Sequence, residues 1–221
     1  MVSIACLLQR ADELDSSSAK LDTELLLAHV LQKPRSYLYT WPGKELTVAE
    51  QDRFNQLFER RKQGEPVAYL LGRQGFWNLD LSVSSDTLIP RPETELLVET
   101  ALELGTSGSD WKVLDLGTGS GAIALALASE RTCWQLTGVD RVDGAVQLAQ
   151  HNALACGLGG VRFLQSDWFA ALAGERFHLI VSNPPYVDAT DMSALAPEFR
   201  AEPRLGLEAG QDGLDIVRRL L

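Results

Sequence analysis

The sequence predicts an α/β protein in which a helical segment, residues 1–64, and a β-hairpin, residues 65–88, precede a larger domain built on a parallel sheet, residues 89–221. Two observations carry this. Beyond Trp111, short apolar runs at about 112–116, 135–139, 161–165 and 177–182 alternate with helical patterns near 121–130 and 143–155. Such alternation implies right-handed crossovers between parallel strands. Before residue 64 the apolar residues recur only at helical spacing.

The first stripe, Ile4, Leu7, Leu8, Ala11 and Leu14, is broken by Asp15 and the serines at 16–18. A second helix is expected over residues 19–32, closed by Pro34. Thr47 and Glu50 form a capping box, since hydroxyl and carboxylate can each satisfy a free backbone donor of the other residue. Phe54, Leu57 and Phe58 follow as a core stripe ended by Gly64. From residue 65 to 83 the period becomes two, with Trp77, Leu79, Leu81 and Val83 on one side. Residues 67–71 are expected to pair with that run across a turn containing Gly72 and Gly75. Pro92, Glu93 and Glu95 then suit the first turn of a helix running to about Leu104, because the proline needs no donor there and carboxylates favour the positive end. Residues 106–109 read as a loop.

The chain has 221 residues, 45% hydrophobic and 23% charged, enough for one medium and one small domain. Its longest apolar stretch, around residues 25–31, is too short to span a bilayer, and charges interrupt any leader-like core, so a cytoplasmic protein with no membrane partner is expected. Cys6, Cys133 and Cys156 lack metal or disulfide spacing and are expected to be reduced, and the three scattered histidines offer no metal site. A net charge of −10 without a dense basic run weighs against direct nucleic-acid binding.

In a parallel sheet, ligands sit at the carboxyl ends of the strands. Asp115-Leu116-Gly117-Thr118-Gly119-Ser120-Gly121 closes the first strand and opens a helix, with glycines that let a ligand approach the backbone. Asp140 ends the second strand, where a carboxylate can hold a ribose diol. Together they imply a ribose-bearing cofactor. Gly117, Gly119 and Ala122 also satisfy a dinucleotide fingerprint, which leaves an NAD-dependent dehydrogenase open. A hydrolase elbow is excluded, because Thr118 and Ala122 stand where it needs glycines around Ser120. After the third strand, Asp167 can accept from an adenine amino group and Trp168 can wall the ring, although aromatics most often serve packing.

The fourth strand ends in Asn183-Pro184-Pro185-Tyr186. Two prolines cannot continue a ladder, and the residues before them are held extended, so rigid acceptors are presented: the Asn183 side-chain oxygen and nearby carbonyls. That is a cradle for an NH2 group. A glycine-rich first loop, an acid after the second strand and this tetrapeptide together resemble the Rossmann-like class I S-adenosylmethionine-dependent amino methyltransferases. The likeness extends to Ile89-Pro90-Arg91-Pro92-Glu93-Thr94-Glu95, Glu202-Pro203, Gly210 and Asp212-Gly213-Leu214. With the N-terminal helices, the chain resembles over nearly its whole length the PrmC/HemK family, which methylates a glutamine side-chain nitrogen (N5) in the GGQ motif of peptide-chain release factors and so modulates translation termination.

The resemblance implies S-adenosylmethionine as methyl donor, with S-adenosylhomocysteine as product. It assigns Gly117, Thr118, Gly119, Ser120, Gly121, Asp140, Asp167, Trp168 and Asn183 to the cofactor. Asn183, Pro184, Pro185 and Tyr186 would hold the substrate glutamine, with Asn183, Pro184 and Tyr186 as the catalytic set and the helical segment as a docking element for the release factor. An amide nitrogen is a poor nucleophile that must be aimed at the methyl group. Asn183 Oδ1 and the Pro184 carbonyl can take both its N–H bonds, and Tyr186 can pack on the amide plane. An exocyclic amine of adenine or guanine offers the same two hydrogens, so a nucleic-acid methyltransferase stays open, as does a non-enzymatic adaptor with a degenerate cofactor domain. Family members continue through further strands, so residues 1–221 are expected to be a fragment whose fourth strand is an exposed edge.

Overall fold

The computed structural model describes residues 2–105, 108–193, 195 and 197–220. Thr106 and Ser107 of the expected loop, and Leu221 of the expected last helix, lie outside the described residues. The chain divides into two compact units, Met1–Leu71 and Gly72–Leu221. The hairpin therefore belongs to the second unit, where a separate linker over residues 65–88 was expected.

The first unit holds α1 (Ile4–Leu8), continued as a 3-10 turn over Gln9–Glu13, then α2 (Ala19–Leu31), α3 (Arg35–Thr40), α4 (Val48–Lys62) and α5 (Val67–Leu71). Its core takes Ile4, Leu7, Phe54 and Phe58 from the expected stripes and adds Leu26, Leu27, Leu38 and Leu46. Both halves of the capping box form, Glu50 N–H to Thr47 Oγ1 at 3.3 Å and Thr47 N–H to Glu50 Oε2 at 2.8 Å. Helix α2 ends on Gln32, which takes a left-handed φ of 52°, and Pro34, expected to close it, stands at the N-cap of α3, a helix that the periodicity did not reveal. Arg61 and Asp22 form a buried ion pair at 2.8 Å.

Residues 67–71 are helical, not a strand. Pro66 starts the turn by accepting Tyr69 N–H and Leu70 N–H, each at 3.1 Å, and Leu70 packs into the helical core. A five-residue apolar run has no decisive period, so tertiary burial chooses its conformation. The hairpin instead pairs β1 (Arg73–Phe76) with β2 (Leu79–Ser82), turning at Trp77 and Asn78 rather than at the glycines.

The second unit continues with α6 (Glu95–Leu104), β3 (Lys112–Leu116), α7 (Ala122–Glu130), β4 (Gln135–Asp140), α8 (Asp143–Ala155), β5 (Arg162–Gln165), β6 (Leu179–Ser182) and α9 (Asp215–Leu220). The larger sheet is parallel, in the order β5-β4-β3-β6. Strand β3 is central and buried beyond its first residue. Its side chains alternate: Val113 faces a core with Leu136, Phe163, Val181 and the buried helix α7, while Leu114 and Leu116 face Val139 and Leu172. Each such leucine contributes roughly 1.5–3 kcal/mol on burial. Among the described residues β6 pairs only with β3, and Ile180 on it is exposed.

Candidate functional site

The strand order places four loops side by side at the carboxyl edge: residues 166–168 after β5, Asp140 closing β4, residues 117–121 after β3, and the tetrapeptide after β6. The register pairs Leu116 with both Val139 and Ser182. Ser182 Oγ donates to the Leu116 carbonyl at 2.7 Å, so Asn183 leaves β6 beside Gly117. Asp115, Gly117, Asp140 and Asn183 thus converge within the second unit.

The glycine loop depends on its backbone conformation: Gly117, Gly119 and Gly121 have φ of 73°, 55° and 84°, values that L side chains rarely adopt. No atom stands within 4 Å of where a Cβ on Gly117 would project, so that face is open. The loop is tied from both sides. Asp140 Oδ2 accepts Gly119 N–H and its Oδ1 accepts Val142 N–H, both at 2.9 Å. Buried Asn152 donates to the Ser120 carbonyl at 2.9 Å and exchanges hydrogen bonds with the Ser82 backbone, joining the loop to the hairpin.

Asp115 is fully buried. Its Oδ2 accepts from Thr118 Oγ1 at 2.6 Å and from Ala124 N–H at 3.3 Å, while Oδ1 has no partner. Burial pushes this carboxyl up to about 6; the two hydrogen bonds oppose the rise and the Asp140 charge adds to it. Thr118 therefore directs its hydroxyl to Asp115.

At the end of β5 the side chains are engaged within the fold. Asp167 Oδ2 accepts from the Arg219 guanidinium of α9 at 2.9 Å. Trp168 takes φ 53° and packs, half-buried, against the Leu114, Leu116, Val139 and Leu172 cluster.

In the tetrapeptide, Asn183, Pro184 and Pro185 are half-buried and Tyr186 is 69% exposed. The chain after it is braced by a return segment. Val187 N–H donates to the Leu207 carbonyl at 2.9 Å, Ala209 N–H to the Val187 carbonyl at 2.8 Å, and Ala189 N–H to the Gly210 carbonyl at 2.9 Å. Gly213, φ 72°, lies so close that a Cβ there would stand 2.5 Å from the Tyr186 carbonyl oxygen. This accounts for the glycine at 213, while Gly210 takes a left-handed φ of 84° of its own.

Two residues outside the expected set join the site. Asn183 Nδ2 donates to Thr94 Oγ1 at 3.2 Å. Glu202, 1% exposed in its side chain, pairs with Arg91 and accepts Ile89 N–H at 3.1 Å, binding residues 89–94 to the segment beyond the tetrapeptide. Arg91 also lies over the Phe199 ring, 5.0 Å from its centre. Only their place inside the proline-rich stretch at 89–95 and the Glu202-Pro203 pair signalled these residues. A cavity of about 340 Å³ lined by Ala189, Met192, Phe199, Arg200, Glu202, Arg204 and Leu207 lies beyond the tetrapeptide; it shares Glu202 with this bracing contact and contains none of the site residues expected from the sequence.

Comparison with known proteins places this geometry. The family model for the PrmC N-terminal domain matches residues 5–72, and that for the methyltransferase small domain matches residues 91–211. A release factor glutamine methyltransferase of Pseudomonas aeruginosa is 54% identical over all of this chain and 80% of its own length. Its counterparts in Shewanella oneidensis and Escherichia coli are 54% and 47% identical over 90% and 91% of this chain, and 69% and 73% of theirs. The solved catalytic domain of hMettl16, in complex with MAT2A 3'UTR hairpin 1, superposes with a TM-score of 0.54 over 65% of this chain and 55% of its own at 17% identity, a likeness of fold alone. The parallel sheet, the glycine loop and the Asn-Pro-Pro-Tyr arm are therefore set in a chain that belongs to the release factor glutamine methyltransferase family.

Proposed function

We propose that this protein transfers a methyl group from S-adenosylmethionine to the side-chain amide nitrogen of a glutamine in peptide-chain release factors. The observation that carries this is the position of Asn183-Pro184-Pro185-Tyr186, tethered through Ser182 to the end of β3 and so beside the glycine loop, in a chain of this family. The residues present fit such a cofactor: the face of Gly117 is open, Asp140 keeps acceptor lone pairs after its two backbone bonds, and Asp115 Oδ1 is a buried acceptor without a partner. When bound, S-adenosylmethionine supplies an electrophilic sulfonium methyl and leaves as S-adenosylhomocysteine.

In this proposal residues 117–121 bring backbone against the donor, Asp140 holds its ribose, and Asp167 and Trp168 bound the adenine end. Asn183 Oδ1 and the Pro184 carbonyl accept the two N–H bonds of the substrate amide, which aims the nitrogen and supports positive charge as it develops there. One of those protons departs to water once the new N–C bond weakens it, so no strong base is required. Pro185 keeps the arm rigid, and Tyr186, exposed in the free protein, covers the amide plane when substrate docks. The helical unit is the docking element for the release factor, and the reaction belongs to the cytoplasm.

Mass spectrometry of a release factor incubated with the protein and labelled S-adenosylmethionine tests the proposal. A methyl group on one glutamine side chain, lost with Asn183→Ala, is the expected result. Label entering only an oligonucleotide included in the same reaction would overturn it.

A further inference from the structure

Resting on the acceptor role proposed above for Asn183, we infer that Thr94 is a positioning residue of the methyl-acceptor site, holding the Asn183 carboxamide with its oxygen turned to the substrate. A primary carboxamide has two unlike ends. Its oxygen only accepts and its NH2 only donates, and rotation about one bond exchanges them. An amide that must receive N–H bonds from another amide works in one orientation alone, since the other sets donor against donor.

That orientation leaves the Asn183 NH2 facing the protein, where it needs an acceptor. Thr94 provides it: Nδ2 lies 3.2 Å from Oγ1, across 89 residues of sequence. Thr94 is itself held. It ends the 3-10 turn Pro92–Thr94, its N–H donates to the Arg91 carbonyl at 3.0 Å, and the Arg91 side chain is paired with buried Glu202. On its other side, Glu95 Oε1 accepts Trp77 N–H at 2.8 Å and anchors the start of α6 to the hairpin. A hydroxyl fixed at both flanks satisfies the NH2 of Asn183 without competing for the oxygen, so Oδ1 is free for the substrate at no cost of a stranded donor.

The test compares Thr94→Val, which keeps the shape and removes the acceptor, with Thr94→Ala and Thr94→Ser. Thr94→Val and Thr94→Ala should lower kcat about 10- to 100-fold while the KM for S-adenosylmethionine stays unchanged, and Thr94→Ser should recover most of the rate. In single-turnover reactions at high enzyme concentration, Thr94→Val added to Asn183→Ala should cost nothing further, because there is then no amide to orient. Wild-type kcat in Thr94→Val and Thr94→Ala, or losses that multiply in the double variant, would overturn the inference. Failure of the underlying function shows differently, as an Asn183→Ala protein that methylates normally.

Discussion

Asp140 Oδ2 accepts the backbone N–H of Gly119 at 2.9 Å, so the carboxylate that ends β4 holds the glycine loop that follows β3. One residue thus serves twice, tethering the loop and, in the proposed function, meeting the ribose. Asp140→Ala removes charge-assisted bonds worth about 1.5–3 kcal/mol each. S-adenosylmethionine binding measured by calorimetry should weaken at least about 10-fold, and unchanged affinity would refute the dual role.

Gly213 lets the return segment lie against the Tyr186 carbonyl. Gly213→Ala adds a left-handed penalty of about 1–2 kcal/mol and forces the backbone of the tetrapeptide arm to move. The expected pattern is a lower melting temperature and a lower kcat with unchanged affinity for S-adenosylmethionine. Loss of cofactor affinity with kcat preserved would contradict the bracing role.

The Asp115 carboxyl, pushed up to about 6 by burial, makes stability depend on pH in a known direction. The unfolded value is about 3.9, so the folded state binds more protons between the two. This group's contribution therefore rises as pH falls through 6, and above 6 the buried charge is a standing cost of about 3 kcal/mol. Exposed carboxylates held low by partners, such as Glu13 beside Arg10, act in the opposite sense, so the comparison must be with a variant. Relative to Asp115→Asn, the wild type should gain about 1 kcal/mol between pH 7.5 and pH 5 in denaturant titrations. Parallel curves would show that Asp115 does not titrate there.

In the helical unit, Arg61 and Asp22 are paired and buried. Arg61→Met strands a buried carboxylate and should cost about 3–5 kcal/mol, whereas Arg61→Met with Asp22→Leu should recover most of that loss. Hydrogen exchange of α2 and α4 reads the effect within this unit. A double variant no more protected than the single one would count against the pair being the cause.

Much of this was legible locally. The capping box at Thr47 and Glu50, the glycine loop, and the two prolines that stop β6 are each set by the chemistry of adjacent residues, and each stands where it was expected. The short segments were not. Residues 67–71 and 35–40 have too few residues for a period to show, and burial against the helical core made both helical. The packing of Trp168 beside the Leu114, Leu116, Val139 and Leu172 cluster and the Asp167–Arg219 bond were not legible either, because they depend on chain distant in sequence; both are compatible with the part proposed for these residues at the adenine end.

By itself the sequence determined the alternation of strands and helices beyond Trp111 and where those strands end, because helix caps, strand periods and proline geometry act over a few neighbouring residues. Tertiary structure alone decided that β6 lies next to β3, setting Asn183 beside Gly117, and that Thr94 and Glu202 reach the acceptor arm. These contacts join residues tens of positions apart, and they arise from strand register and buried charge pairing that no local pattern encodes.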